Sequence, residues 1–284
     1  MKRLIEVLQA STDYLAGKGV DQPRLTAELL MSHVLQCPRL HLYLKFETQL
    51  DEEQLGPLRT GIKRLGAGEP LQYVLGDTEF MGHRFKVDRR ALIPRPETEE
   101  LVDRVLKCAP LWSGARPAVV DVGTGSGCIV ISLALARPEA SYLAIDASAA
   151  ALELARENAE LNKAAGIEFR TGDLLAGLAS ASVDAVIANL PYIPTRDCEA
   201  LPRNIREHEP HSALDGGEDG LGPIRLLVES AWETLKPGGY LFLEIGFDQG
   251  GRVVKCLKER GYDTVAVHQD LGGRDRMVDG RKPN

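Results

Sequence analysis

Two short stretches of this chain combine residue types that can do chemistry. Gly123-Thr124-Gly125-Ser126-Gly127 follows the apolar run Ala118 to Val122, and Asn189-Leu190-Pro191-Tyr192 closes a second apolar run, Val183 to Ala188. A glycine-rich turn between a strand and a helix lets the backbone approach a nucleotide-like cofactor with its amide groups pointing toward it. An Asn-x-Pro-Tyr turn offers carbonyl acceptors and an aromatic face to a planar nitrogen substrate. Together the two halves fit transfer of a methyl group to an amide or amine nitrogen.

An amide nitrogen is a poor nucleophile because its lone pair is delocalised into the carbonyl. An enzyme must hold the amide so that this density faces the methyl donor. The side-chain oxygen of Asn189 and the main-chain oxygen of Leu190 can each accept one N–H of a primary amide and aim its nitrogen at a sulfonium methyl. Tyr192 can stack on the amide plane and exclude water. No metal or covalent intermediate is required, since the sulfonium leaves as a neutral thioether. His208 and His211, the one close histidine pair, read as solvated loop residues, and no metal is expected.

On the cofactor side, Asp146 ends an apolar run, where a carboxylate can accept both hydrogen bonds of a ribose diol; with Ser148 following, it can instead cap a helix. Asp173-Leu174 follows Ile167 to Thr171, where a carboxylate can accept an exocyclic adenine amine and a main-chain amide can meet a ring nitrogen; the alternative is a turn beside Gly172. Asp121 either joins this chemistry or only fixes the loop. The loop spacing is G-x-G-x-G, with Cys128, Ile129 and Val130 in place of the later glycine of the dinucleotide fingerprint. That weakens a bound pyrophosphate, and with it a nicotinamide dehydrogenase. Each motif has an ordinary turn or helix start as its alternative, and Asn189 to Tyr192 taken alone reads as a plain strand-ending turn. Their convergence at successive strand ends of one sheet favours a ligand site, because ligands gather beyond the carboxyl ends of such strands.

The elements that must position these residues alternate after Pro117. Strands are expected at 118–122, 142–146, 167–171 and 183–188, with helices at 127–136 and 148–162. Further candidates run through Leu226 to Leu235, Tyr240 to Ile245, Val253 to Arg260, Tyr262 to His268 and Arg274 to Asp279. The pattern is α/β, a doubly wound sheet. Glu97 to Cys108 returns to helical spacing, with Glu97, Glu99 and Glu100 near the positive end of the helix dipole.

Upstream, residues 1–72 read as a small helical bundle. One helix carries Leu4, Ile5, Leu8 and Leu15 and stops at Gly17. A second starts near Asp21 with Pro23 in its first turn and buries Leu25, Leu29, Leu30 and Val34; a third covers Leu40 to Phe46. Asp51 and Gln54 form a capping box for a fourth, carrying Leu55, Leu58, Ile62 and Leu65. Tyr73 to Val87, broken by Gly76 and Met81-Gly82-His83, reads as a β-hairpin within a linker spanning residues 73–95, before a second domain at 96–284.

Composition sets the outer limits. A length of 284 residues suggests two units, and 41 acidic against 34 basic residues give a net charge of -7 and no general field for nucleic acid phosphates. The five cysteines are scattered with no Cys-x-x-Cys pair, and read as reduced thiols. Met1-Lys2-Arg3-Leu4-Ile5-Glu6 meets a carboxylate too soon for a secretory apolar core. A cytoplasmic, soluble monomer that binds neither membrane nor nucleic acid is expected.

On its motifs the chain resembles the protein-(glutamine-N5) methyltransferases of peptide-chain release factors, the PrmC/HemK family, over nearly its whole length. Beyond the two site motifs, the resemblance rests on Gly68-Glu69-Pro70-Leu71-Gln72-Tyr73-Val74 with Gly76 and Glu79-Phe80, and on Ile93-Pro94-Arg95-Pro96-Glu97-Thr98-Glu99. It implies an S-adenosylmethionine-dependent methyltransferase domain of Rossmann-like fold, with S-adenosylhomocysteine as product. It also implies that Gly123, Thr124, Gly125, Ser126, Gly127 and Asp146 bind the cofactor, with Asp173 and Leu174 near the adenine and Asn189 to Tyr192 taking the substrate. The implied substrate is the Gly-Gly-Gln loop of class I release factors, with residues 1–72 helping to dock that protein. Glu209-Pro210-x-x-Ala213-Leu214, with Gly216-Gly217 and Gly220-Leu221, also looks like the family and suits either a mobile flap or a plain surface connection. One position departs from the family motif Asn-Pro-Pro-Tyr: Leu190 stands at the first proline, which frees φ and adds an N–H. Two rival functions follow, an adenine-N6 methyltransferase of DNA or RNA and a release-factor-binding protein silenced by Leu190.

Overall fold

The computed structural model describes residues 2–284. It forms two compact units, one built from the chain up to Asp77 with Pro202–His208, the other from Thr78–Leu201 with Glu209–Asn284.

In the first unit, β1 (Lys2–Arg3) leads into α1 (Leu4–Gly17), whose Leu4, Leu8 and Leu15 fall on one face and are fully buried. α2 (Pro23–Val34) starts on a proline, where the missing N–H is not needed. Its buried face is rotated from the expected leucine stripe: Ala27, Leu30 and Met31 are buried, and Leu25 and Leu29 only partly so. Glu28 shares that buried face because Arg24 Nε (2.6 Å) and Tyr43 Oη (2.7 Å) donate to its carboxylate. α3 (Arg39–Leu44) follows Pro38, and β2 (Gln49–Leu50) pairs antiparallel with β1. α4 (Glu52–Gly66) opens with the expected capping box: the Gln54 N–H donates to Asp51 Oδ1 at 3.0 Å and the Asp51 N–H to Gln54 Oε1 at 3.2 Å.

Residues 73–75 are not hairpin, as the sequence pattern suggests, but the end of a short helix, α5 (Leu71–Leu75), closed by Gly76 at φ +84°. The Arg64 guanidinium donates to the carbonyls of Tyr73 (3.0 Å) and Val74 (3.4 Å), which gives the last helical carbonyls a partner without a strand. The hairpin proper is β3 (Asp77–Phe80) and β4 (His83–Lys86), turned at Met81 and Gly82, both at positive φ.

After the hairpin, α6 (Pro96–Lys107) precedes β5 (Ala118–Val122), α7 (Cys128–Ala136), β6 (Ser141–Asp146), α8 (Ala149–Leu161), β7 (Ile167–Thr171) and β8 (Val183–Ala188). The connection that follows carries α9 (Thr195–Cys198) and α10 (Arg203–Arg206), the latter in the first unit. α11 (Gly222–Thr234), β9 (Leu235–Glu244), α12 (Gly250–Arg260), β10 (Asp263–Gln269) and β11 (Asp275–Arg281) complete the chain.

The seven-stranded sheet runs β10-β11-β9-β8-β5-β6-β7. β5 through β9 pair in parallel, and β11 is antiparallel to both neighbours. This is the expected doubly wound arrangement. Alternation along the strands sends Val119 and Ile187 into a core with Leu101, Val105 and Ile131, and Val120 and Val186 into a second with Ile224, Leu227 and Val253. Strand order reverses between β5 and β8, so their carboxyl ends border the crevice where such sheets hold ligands.

Candidate functional site

The glycine loop leaves β5 and is bound tightly to β6. The N–H groups of Gly123 (2.8 Å) and Thr124 (3.0 Å) donate to the Ile145 carbonyl, that of Gly127 to the Thr124 carbonyl (2.8 Å), and that of Gly125 to Asp146 Oδ2 (2.9 Å). Four of the five loop amides therefore serve the chain itself. This corrects the expectation that they point at a ligand; the carbonyls of Thr124, Ser126 and Gly127 are engaged within the chain as well, and what the loop offers is backbone surface free of bulky side chains. At Gly127, φ is +80° and a Cβ would lie 2.9 Å from Ile131 Cδ1, so only glycine fits where the loop meets α7.

Asp146 serves the start of α8 and the glycine loop, and it also faces open space. Its Oδ1 accepts the Ser148 N–H at 2.8 Å and its Oδ2 holds Gly125, yet it lines a cavity of about 670 Å³. A carboxylate offers about four lone-pair positions, so two amides leave capacity for a diol. The same cavity is walled by Gly123 to Ser126, Asp173, Leu174, Asn189, Leu190 and Pro191. Its size lies within the range of about 300–1,000 Å³ usual for ligand sites. Gly127 and Tyr192 are not part of this wall. Gly127 acts from behind the loop, and Tyr192 packs partly buried against the apolar cluster on the other side of the turn.

The Asn189 to Tyr192 turn is held by a chain of polar contacts. Asn189 Nδ2 donates to Thr98 Oγ1 at 3.1 Å, Thr98 Oγ1 donates to Glu244 Oε2 at 2.7 Å, and Tyr192 Oη donates to Glu244 Oε1 at 3.4 Å. With Nδ2 engaged, Asn189 Oδ1 and the Leu190 carbonyl meet no donor among the described residues and remain as acceptors. Leu190, at the family's proline position, is 6% exposed, and a Cβ on Gly123 would stand 3.0 Å from its Cδ2. The exit of the turn is fixed as well: Gln249 Nε2 donates to the Tyr192 carbonyl at 2.8 Å and to that of Gly220 at 3.3 Å.

Two buried carboxyls lie next to these motifs. Burial raises Glu244 to about 7, against the opposing hydrogen bond from Thr98 and the charge of Arg276. Burial likewise raises Asp121 to about 7. Thr124 Oγ1 donates to Asp121 Oδ2 at 2.6 Å, while Oδ1 has no partner among the described residues, so Asp121 serves the interior of the loop.

Sequence reasoning passed over several residues of this site. Thr98 sits on α6 inside the stretch Ile93 to Glu99 that carried the resemblance, and Glu244 is the lone acid of an apolar strand; that oddity was the available signal. The linker also supplies wall: Arg90 to Leu92 line the cavity, and Arg90 Nη1 donates to Glu157 Oε1 at 2.8 Å. The stretch expected as flap or plain connection is tied down at both ends. The buried Glu209 accepts from the Ile93 N–H (3.2 Å) and from Arg95, and Ser212 and Ala213 join the wall. Ile193 donates to the Leu214 carbonyl (3.0 Å) and Gly216 to that of Ile193 (2.8 Å).

Comparison with known proteins settles the family. The PrmC N-terminal domain matches residues 6–76 and the methyltransferase small domain residues 104–207. The release factor glutamine methyltransferase of Geobacter sulfurreducens is 42% identical over 276 residues, covering 97% of this chain and 95% of its own. The protein of the same name from Moorella thermoacetica is 43% identical over 275 residues, covering 96% of each. The chain belongs to the release factor glutamine methyltransferase family. A methyltransferase of known structure from Pyrococcus furiosus shares the fold, with a TM-score of 0.53 at 18% identity over 72% of this chain and 91% of its own. Within the family, the site of interest is the crevice at β5 and β8, where both motifs meet. Among the described residues, no helix is long and apolar enough to cross a membrane.

Proposed function

We propose that this chain transfers a methyl group from S-adenosylmethionine to the side-chain amide nitrogen, N5, of the glutamine in the Gly-Gly-Gln motif of class I peptide-chain release factors. One observation carries the reading. Asn189 spends its Nδ2 on Thr98, which leaves Oδ1 beside the Leu190 carbonyl as a pair of acceptors at the wall of the cavity. In this reading each oxygen accepts one N–H of the glutamine carboxamide, which fixes the amide plane and the direction of its nitrogen. Pro191 keeps residue 190 extended, so Leu190 retains the carbonyl direction that the family's proline would give. Tyr192 packs behind the turn, where its ring and its bond to Glu244 help hold the acceptor pair in place.

The cavity fits the cofactor: a carboxylate at Asp146 for the ribose, Asp173 and Leu174 for the adenine, and a side-chain-free surface at Gly123, Thr124, Gly125 and Ser126, with Gly127 holding that loop in place. When bound, S-adenosylmethionine supplies an electrophilic methyl group, and the C–S bonding pair stays on sulfur to leave S-adenosylhomocysteine. The acceptor nitrogen forms the new N–C bond and then releases one proton to water. The chain needs no metal for this.

A protein substrate agrees with the net charge of -7, which disfavours nucleic acid, and with the apolar exposure of Leu40 (72%) and Leu44 (84%) in the N-terminal unit, a surface suited to docking. In this proposal the enzyme works as a monomer in the cytoplasm, where release factors act. The test is incubation with labelled S-adenosylmethionine and a release factor, then with its glutamine-substituted variant, and mapping of the label by peptide mass spectrometry. Label on N5 of the motif glutamine supports the reading; label that survives the substitution refutes it.

A further inference from the structure

The Asn189 carboxamide can face its surroundings in two ways, and only one of them offers an acceptor. Its Nδ2 and Oδ1 are nearly the same size, so packing alone does not choose between them. The choice lies with Thr98, whose hydroxyl has a single hydrogen. When that hydrogen is donated to Glu244 Oε2 (2.7 Å), Thr98 Oγ1 can only accept, and Asn189 must turn Nδ2 toward it (3.1 Å).

We propose that Glu244, acting through Thr98, is a positioning residue that holds the Asn189 carboxamide with Oδ1 toward the substrate amide. The proposal rests on the reading of Asn189 as an acceptor and deepens it. Glu244 is 2% exposed and Thr98 2% exposed, so water does not compete for these bonds. An ionised Glu244 is acceptor-only and imposes the order Asn189 to Thr98 to Glu244. A protonated Glu244 can instead donate to Thr98, which frees the threonine hydrogen for Asn189 Oδ1 and lets the carboxamide turn over. The order of donors along this relay therefore follows the charge of Glu244.

The groups facing Glu244 come from four other elements. Arg276 on β11 favours its ionised form, Glu97 on α6 opposes it, and Tyr192 after β8 donates to Oε1. The buried Cys128 thiol on α7 is itself raised partly by the charge of Glu244. With burial setting Glu244 near 7, ionisation occurs within the working range, and methyl transfer should rise with pH through that midpoint.

The experiment compares wild type with Asn189→Ala, Thr98→Val, Thr98→Ser and Glu244→Gln. It measures single-turnover methylation of a release factor from pH 5.5 to about 8.5, S-adenosylmethionine affinity by calorimetry, and thermal melting. Thr98→Val should lower the single-turnover rate about tenfold or more, the preference of one hydrogen bond, with a much smaller change in cofactor affinity. Thr98→Ser should recover most of the rate, and Glu244→Gln should lose the inflection near 7. Full activity in Asn189→Ala overturns the reading of the acceptor itself. Loss in Asn189→Ala, combined with a wild-type rate in Thr98→Val and a wild-type inflection in Glu244→Gln, overturns the positioning proposal alone. Should Thr98→Val fail to fold, the pH profile of Glu244→Gln decides.

Discussion

Asn158 Nδ2 donates to the Ser126 carbonyl at 2.9 Å from a side chain with 0% exposure. The same side chain accepts the Lys86 N–H at 2.7 Å and donates to the Lys86 carbonyl at 3.1 Å. One asparagine on α8 thus fixes the hairpin and the glycine loop together. Asn158→Ala leaves the buried Ser126 carbonyl without this partner, at about 1–3 kcal/mol, and removes two part-buried bonds to the Lys86 backbone. The expected result is a fall in melting temperature of about 5–10 °C and weaker S-adenosylmethionine binding by calorimetry. Unchanged cofactor affinity would show that the loop holds its shape without this clasp.

Gly127→Ala tests the steric argument at the other end of the loop. The new Cβ would stand 2.9 Å from Ile131 Cδ1 and 3.1 Å from Ala155 Cβ, at a φ of +80° that alanine avoids. The strain is about 1–3 kcal/mol, and the loop shifts to relieve it. Cofactor affinity should drop at least about tenfold, which corresponds to 1.4 kcal/mol. An affinity equal to wild type would mean that the loop absorbs the methyl group elsewhere.

Asp121 makes a prediction about pH and stability. Its carboxyl is raised from 3.8 to about 7, so between those values the folded chain binds more protons than the unfolded one. Folding stability from this group is therefore greatest at low pH and declines as pH rises through that window. In Asp121→Asn the decline should be shallower, with a higher melting temperature than wild type at pH 8 and a smaller gain at pH 5. Parallel melting curves for the two proteins across this range would contradict a buried, protonated Asp121.

Leu190 and Asn189 contribute different parts of the turn, and kinetics should separate them. Leu190→Ala keeps the main-chain carbonyl but empties an apolar site that is 6% exposed, at about 2–5 kcal/mol. Stability and cofactor affinity should fall while kcat changes by less than about tenfold. Asn189→Ala removes an acceptor, and kcat should fall by about 100-fold or more. Equal losses of kcat in the two variants would remove the distinction between carbonyl and side chain.

Much of this architecture is legible from residue order. Ala118 to Val122 and Val183 to Ala188 are apolar except for Asp121 and Asp184, as strands covered on both faces largely are, and the glycines and Asn189 mark where they end. Thr98 and Glu244 were harder to see, because they sit on α6 and β9 and only the sheet order brings them beside Asn189. Local chemistry also misleads at Tyr73-Val74-Leu75, where an aromatic and a β-branched residue suggest a strand while Arg64 supplies partners for a helix. The loop amides form a third case: their direction depends on Ile145 and Asp146 of the neighbouring strand, which no motif encodes.

The bonds of Ile193 to Leu214 and Gly216, with Gln249 spanning Tyr192 and Gly220, close the base of the long excursion after β8 like a buckle. A change of length beyond a closed buckle carries only the small entropic cost of a longer or shorter loop. Glu209, Ser212 and Ala213 stay bound to the site, so that latitude belongs to the largely exposed residues 195–208.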